Sequence, residues 1–238
     1  MTALLFGSFL AFMLAVVTAC ILRYLSRGTA TAVLAGLAVW IAYVGLLSYL
    51  GVVSNPAMRP PGAVLIVLPV FLFVLLGLVK TSAALRVALA FPAWLILGLQ
   101  SFRIGVELLL HRIWLDGLIP RLMTYEGGNV DIFIGLSAPI IAWAAAKGRT
   151  GQKVALGWNV LGLLALANVM VRAALTAPGP MQLIHAEVPN LAIGMFPFTF
   201  VAGFFAPLAV ILHVLSIRAL RQALRLGATS LKPAGAAA

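Results

Sequence analysis

The sequence predicts an all-α, polytopic integral membrane protein built as one bundle of seven transmembrane helices. Hydrophobic residues make up 63% of the chain and charged residues only 9%, whereas a soluble domain carries about 25% charged residues. Apolar runs recur at close to the ~20 residues that a spanning helix requires. The runs lack the short polar–apolar alternation of a β-barrel, and lipid cannot satisfy exposed backbone groups. Helices are therefore the expected elements.

Gly- and Pro-containing linkers separate the apolar runs into individual helices. The predicted spans are 3–22, 31–53, 62–80, 87–114, 131–147, 153–175 and 191–217. Together they form a single transmembrane domain over residues 1–226. The remaining segment, residues 227–238, is Ala-rich and contains Pro233. Such a composition predicts a disordered tail.

The Lys and Arg residues predict the orientation of the bundle. With the N-terminus outside, the outer loops hold Arg59, Arg112 and Arg121, and Arg103 and Arg172 lie within spans. The cytoplasmic segments hold the rest: Arg23, Arg27, Lys80, Arg86, Lys147, Arg149, Lys153, Arg218, Arg221, Arg225 and Lys232. Cytoplasmic loops of membrane proteins carry this excess of cations. We therefore predict an N-out, C-in protein of the plasma (inner) membrane of a bacterium, with a cytoplasmic tail.

The net charge of +11 matches that of many nucleic-acid-binding proteins, but these charges sit between apolar runs. They therefore serve topology rather than a nucleic-acid patch. The expected partners are the lipid bilayer and a lipid-like or small polar ligand, and an oligomer is left open. A single cysteine, Cys20, excludes an internal disulfide and a metal site made of several cysteines.

The acidic residues are concentrated in one part of the chain. There are only five, and four of them fall within residues 100–131: Glu107, Asp116, Glu126 and Asp131. The fifth, Glu187, lies in the last predicted outer loop. Acidic residues contribute little to orientation, so this asymmetry needs another cause. A polar site at the outer end of the bundle is the simplest one.

Arg103, Glu107 and His111 are spaced four apart, which places them on one face of a helix. Counting the helical rise from Arg86 puts Arg103 ~25 Å up, in the outer third of the membrane, with Glu107 as its partner. The pair could simply lock two helices together. Alternatively, Arg103 could hold an anionic group beside a catalytic carboxylate, and ionisable residues inside membranes are functional by default. His111 could be a general acid/base, a metal ligand or, most commonly, a boundary histidine bonded to water.

Arg172 is the second embedded cation, and Asn168 lies one turn below it. The side chain could reach the interface by snorkelling or pair with Glu126, Asp131 or Glu187. The polar segment before the fifth span supplies further candidates. Asn129 or Asp131 would cap that helix, and Glu126 exceeds what a cap requires.

Cofactor sites receive little support from the sequence. His111, His185 and Glu187 form a minor candidate metal set, although no His-Glu-x-x-His spacing supports it. His213 is excluded from the site because the helical rise places it ~27 Å from the outer cluster. Every lysine lies at a helix end or in the tail, which disfavours a retinal Schiff base. Three histidines are too few for two bis-histidine haems.

These residues favour a membrane-embedded enzyme whose site opens to the extracytoplasmic side. Glu107 would act as general acid/base, assisted by His111 or Asp131. A set of polar side chains would bind the anionic or polar head of a lipid-like substrate: Arg103, Arg172, Glu126, Asn129 and Asn168. Two alternatives use the same cluster. One is a small-solute or proton-coupled transporter, whose site would normally lie near the midplane. The other is an accessory subunit in which the charges are structural.

Overall fold

The computed structural model describes residues 1–229, and within them every regular element is helical. The α-helices are α1 Thr2–Tyr24, α2 Arg27–Tyr49, α3 Val64–Leu72, α4 Ser82–Ala90, α5 Ala93–Leu99, α6 Phe102–Leu115, α7 Asp131–Ala146, α8 Arg149–Thr176 and α9 Ala206–Thr229. A π-helical stretch, Phe73–Leu78, extends α3, and another, Val201–Phe205, leads into α9. Short 3₁₀ turns lie at Arg121–Met123, Tyr125–Gly127 and Ala192–Gly194. Helix α9 reaches Thr229, and the rest of the predicted tail, residues 230–238, lies outside the described residues.

Within residues 1–229, five helices are long and apolar enough to cross a membrane, which confirms an all-helical fold with candidate membrane spans. They are Thr2–Tyr24, Arg27–Tyr49, Ala93–Leu115, Arg149–Thr176 and Val201–Leu226. A sixth crossing forms if Val64–Leu78 and Ser82–Ala90, which meet at 88°, count as one span. Helix α7 is apolar but has only 16 residues.

Two predicted spans begin in the wrong place. The span predicted from residue 87 is broken at Phe91–Pro92, where the backbone is extended. A proline lacks the N–H that a helix interior requires and clashes with the preceding turn, and it disfavours helical geometry at the residue before it. The apolar helix begins at Ala93 and ends at Leu115, which places Arg103 ~15 Å along it, near its middle rather than in its last third. The last span begins at Val201 rather than at residue 191.

The bundle is arranged around α9. About 61% of the apolar window of Val201–Leu226 is buried, compared with 17% for α1 and 11% for α2. Helix α9 packs against α4, α5 and α8, while α7 packs against α5, α6 and α8. The outer helices α1 and α2 therefore present most of their surface to the surroundings, and α5 to α9 enclose the interior.

The connecting loops meet at one end of the bundle. Leu118 O in the α6–α7 loop accepts hydrogen bonds from the backbone N–H groups of Leu191 and Ala192. The N-terminus lies at the same end, since Arg112 Nε donates to Thr2 Oγ1 at 3.3 Å. Arg218, near the other end of α9, donates to the carbonyl of Leu78. The long loops and the chain start thus share one end.

Candidate functional site

Arg103 and Asp131 form a buried ion pair between α6 and the first turn of α7. Arg103 Nη2 lies 2.5 Å from Asp131 Oδ1, and Nε donates to Oδ2 at 3.2 Å. The residues are 2% and 6% exposed. Gly135 allows the close helix approach, because a Cβ there would lie 3.0 Å from the backbone nitrogen of Ile104. The predicted pairing of Arg103 with Glu107 is therefore wrong, because the carboxylate that forms the ion pair with Arg103 is Asp131.

Glu107 has one satisfied and one free carboxyl oxygen. Its Oε1 accepts a hydrogen bond from Asn129 Nδ2 at 2.5 Å, while Oε2 is buried and has no hydrogen-bond partner among residues 1–229. Asn129 is fully engaged, because Nδ2 also donates to the carbonyl of Met123 and Oδ1 accepts from the backbone of Asp131. With Glu107 only 1% exposed, a free buried oxygen is costly unless something binds it.

His213 belongs to the same network, so its exclusion from the site was wrong. Arg103 Nη1 lies 3.0 Å from His213 Nε2, and His213 Nδ1 lies 2.9 Å from Asn159 Oδ1. Asn159 Nδ2 in turn donates to Ser216 Oγ at 3.0 Å. The distance of ~27 Å assumed one continuous helix over the last predicted span, whereas residues 191–200 do not form one. Counted from Val201, His213 lies ~18 Å along its helix.

The direction of these hydrogen bonds follows from their chemistry. Arginine donates only, so His213 Nε2 accepts and the proton resides on Nδ1, which donates to Asn159. His213 is therefore neutral. Gly162 on α8 makes room for the ring, since a Cβ there would lie 2.3 Å from His213 Cε1. We call this set the buried polar network: Arg103, Glu107, Asn129, Asp131, Asn159, His213 and Ser216.

A small cavity of about 80 Å³ lies beside the network. Arg103, Glu107, Asp131 and Asn190 line it, and its other walls are apolar side chains of α6, α8 and the segment leading into α9. A water needs roughly 10–15 Å³ of such volume. The small cavity can thus hold several waters or the polar end of a ligand beside Glu107.

A larger pocket of about 450 Å³ adjoins the small cavity. Six residues line both: Met170, Ala173, Asn190, Ile193, Ala202 and Ala206. Three of them are alanines, so the partition is thin. In the part of the chain that the structure describes, no charged residue lines the larger pocket. The polar network therefore has an apolar chamber next to it.

His111 and Glu126 lie in a separate cluster on the loop side. His111 Nδ1 lies 3.6 Å from Glu126 Oε1, and its ring stacks on Tyr125 with centroids 5.0 Å apart. Glu126 Oε2 also approaches Arg121 Nε at 3.6 Å. Neither His111 nor Glu126 lines the small cavity. Of the three residues predicted to act together, Arg103 and Glu107 belong to the buried polar network, whereas His111 belongs to the separate cluster with Glu126.

Arg172 and Asn168 hold the α6–α7 loop. Arg172 Nε donates to Asn168 Oδ1 at 2.9 Å, and Nη1 donates to the carbonyls of Gly127 at 3.0 Å and Leu122 at 3.4 Å. Within residues 1–229 it forms no ion pair, so the predicted pairing with Glu126, Asp131 or Glu187 is wrong. Loop carbonyls supply its acceptors instead.

Within the described residues, no group of three His, Cys, Asp or Glu side chains is placed to hold a metal ion. Glu187, from the minor candidate set with His111 and His185, accepts the backbone N–H of Arg121 at 2.5 Å.

Sequence reasoning left three network residues out of the site. His213 and Ser216 are three apart on α9, and Asn159 contacts both from α8; all three lie within apolar runs. Gln100 and Asn190 are also buried, and Gln100 donates to the carbonyl of Ala209 at 3.1 Å. The signal was available as polar residues inside apolar spans.

An all-helical membrane protein with a buried ion pair, a half-satisfied carboxyl group and an adjoining apolar chamber is the class that these features define. The chain belongs to the family described as domain of unknown function DUF8737, whose model matches residues 60–221. That range includes the whole buried polar network. No curated protein and no solved structure matches the sequence.

Proposed function

We propose that this protein is a membrane-embedded enzyme in which Glu107 is the general acid/base, acting on the polar head of a lipid-like or amphipathic substrate. The observation that carries the proposal is the free, buried Oε2 of Glu107 beside the small cavity. Asn129 fixes the other oxygen, so the carboxyl group is oriented before a substrate arrives. A positioned acid or base contributes typically ~10²–10⁴-fold to rate.

Asp131 and His213 hold Arg103 in place beside Glu107. All three of its nitrogens already have partners, which leaves the guanidinium as a fixed charge with spare N–H groups. Such preorganised donors stabilise charge that develops during a reaction. Asp131 then serves as the counter-ion that keeps Arg103 rigid rather than as a second catalytic acid.

The donor direction of the network favours this function over proton-coupled transport. From Arg103 the donors point through His213 and Asn159 toward Ser216. Arginine stays protonated in proteins and the asparagine amide does not titrate, so the chain holds geometry and cannot pass a proton inward. A relay would require titratable groups in sequence.

The same proposal includes the topology. With α3–α4 as one bent span and α7 as a short one, the chain crosses the membrane seven times, N-out and C-in. The cations at the α9 end away from the loops support this orientation. The site then opens to the extracytoplasmic side of a bacterial plasma membrane.

The test is Glu107→Gln in protein reconstituted with bacterial polar lipids and with isoprenoid lipids, followed by mass spectrometry of all lipid products. Wild-type protein should convert at least one lipid class, and Glu107→Gln should lower that rate by about 10²-fold or more with unchanged thermal unfolding. Asp116→Asn is the matched control, because Asp116 pairs with Arg112 at the end of α6. Conversion that survives Glu107→Gln, or no conversion by the wild type, would refute the proposal.

A further inference from the structure

We infer that the larger pocket binds the hydrocarbon chain of a long-chain lipid alcohol, whose hydroxyl group reaches Glu107 through the small cavity. The inference rests on the proposed function for the role of Glu107 and adds the substrate class. It starts from the contact between the two spaces, which share one wall of six residues. A single ligand could therefore occupy both.

The rim of the larger pocket favours a lipid over a water-soluble solute. Its lining includes large apolar side chains that are 36–56% exposed: Val67, Val171, Met181, Leu191 and Met195. In a membrane protein, such surfaces contact the hydrocarbon of the bilayer. Its volume, about 450 Å³, falls in the ~300–1,000 Å³ range of small-molecule sites. A lipid chain could enter from the bilayer without crossing water.

The polar end of the ligand must determine which lipids the protein binds. Lipid tails are as apolar as the pocket walls, so moving a chain from the bilayer into the pocket gains little. The small cavity offers two polar groups that have no hydrogen-bond partner within residues 1–229. One is Glu107 Oε2. The other is the side-chain amide of Asn190, which is 3% exposed, lines both spaces and has no hydrogen bond within residues 1–229.

An anionic head fits this cavity poorly. Of the two kinds of head group expected from the sequence, anionic or neutral polar, the cavity favours the neutral polar one. The charge of Arg103 is already neutralised by Asp131 at 2.5 Å, so an anionic head buried here would have no counter-ion. A hydroxyl group can donate to the free oxygen of Glu107 and accept from the amide of Asn190. A neutral alcohol therefore satisfies both groups without adding charge.

The test is photoaffinity labelling with a palmityl alcohol that carries a diazirine and an alkyne on its chain, compared with the matching palmitic acid. Protein in nanodiscs should be labelled in peptides that contain residues 170–181 and 190–202. The alcohol should label about tenfold more than the acid, because the acid would have to bury an unpaired carboxylate. Excess unlabelled hexadecanol should abolish the signal.

Substitutions at the partition supply the controls. Ala173→Leu should lower labelling at residues 190–202 severalfold, and Ala202→Leu provides an independent block. Ala167→Leu lies on the same helix but is exposed to lipid, so it should label like the wild type. Thermal unfolding of each variant distinguishes a blocked pocket from a misfolded protein.

Glu107→Gln addresses the polar end. Asn129 donates to Oε1 and would retain the amide oxygen of Gln, so the new NH₂ group would face the cavity. The alcohol-to-acid labelling ratio should then fall toward one. Labelling spread over α1 and α2, or unaffected by both partition variants, would overturn the inference. That result could occur even if Glu107→Gln abolished lipid conversion, so the two proposals can fail separately.

Discussion

Arg103 can donate hydrogen bonds but cannot accept them, and this decides the order of the network around it. Asp131 must be the acceptor on one side and neutral His213 on the other. Burial of such charges is costly, and removing one partner leaves the other uncompensated. Glu107 differs, because one of its oxygens has no partner at all. Arg103 is thus fixed by Asp131 and His213, whereas Glu107 retains an oxygen that can bind a ligand.

A double-mutant cycle on Arg103 and Asp131 should show strong coupling. Arg103→Met alone should cost about 3–5 kcal/mol of unfolding free energy, because it strands the buried carboxylate of Asp131. Arg103→Met with Asp131→Asn should recover much of that loss. Reversible unfolding in mixed detergent micelles gives the four free energies.

The exposed pair of Arg112 and Asp116 is the control for that cycle. Their atoms lie 3.4 Å apart at the end of α6, where an ion pair is worth about 0–1 kcal/mol. The cycle of Arg112→Met and Asp116→Asn should therefore be nearly additive. Equal coupling in the two cycles would contradict a special role for the buried pair.

At the scale of elements, small residues control how closely the helices approach. Gly162 lets α8 pass directly against the ring of His213, and Gly135 brings α7 against α6 beside Arg103. These contacts let donors and acceptors on four helices meet. Proline acts in the opposite sense at Pro92, where it separates α4 from α5.

Gly162→Ala should destabilise the bundle, because its Cβ would overlap the ring of His213 and displace it from Arg103. Overpacking and a lost hydrogen bond together predict a cost of about 1–3 kcal/mol. Gly157→Ala on the same helix is the matched control, since a Cβ there meets nothing within 4 Å. Gly157→Ala should be neutral or slightly stabilising.

The measurement is unfolding in detergent, together with the lipid conversion assay. Equal stability of the two variants would show that the ring of His213 can move without consequence. Normal conversion by Gly162→Ala would show that Arg103 does not need His213 to hold it.

At the scale of the whole molecule, the loops and the N-terminus gather at one end, and most cations lie at the other. The acidic residues belong to the loops or to the helix segments that lead to the loop end. This division predicts which side of a membrane each loop occupies. The number of membrane crossings depends on two elements. The helix α7 is shorter than a full span, and the bent pair α3–α4 crosses only if its two helices act as one span.

Single cysteines on a Cys20→Ser background should locate these crossings. Ala57→Cys and Val130→Cys should react with a membrane-impermeant maleimide in intact bacterial spheroplasts. Ser82→Cys and Thr150→Cys should react only after lysis. If positions 130 and 150 react from the same side, α7 does not cross, and the seven-span topology is wrong.

The sequence by itself determined the helical membrane character, most helix positions and the presence of polar residues deep in the spans. Composition and the length of apolar runs depend only on transfer to lipid, which is a local property. The choice of Arg103, Glu107 and Asp131 as candidate site residues also followed from the high cost of burying charge.

Only the tertiary structure decided which residues meet. Helical spacing places Glu107 one turn from Arg103, yet Asp131, 28 positions away along the chain, is its partner. The distance assigned to His213 depended on where its helix begins, and residues 191–200 do not form a continuous helix. The partners of a buried charge are set by helix packing and by breaks at prolines, and these involve contacts between distant segments that no local pattern contains.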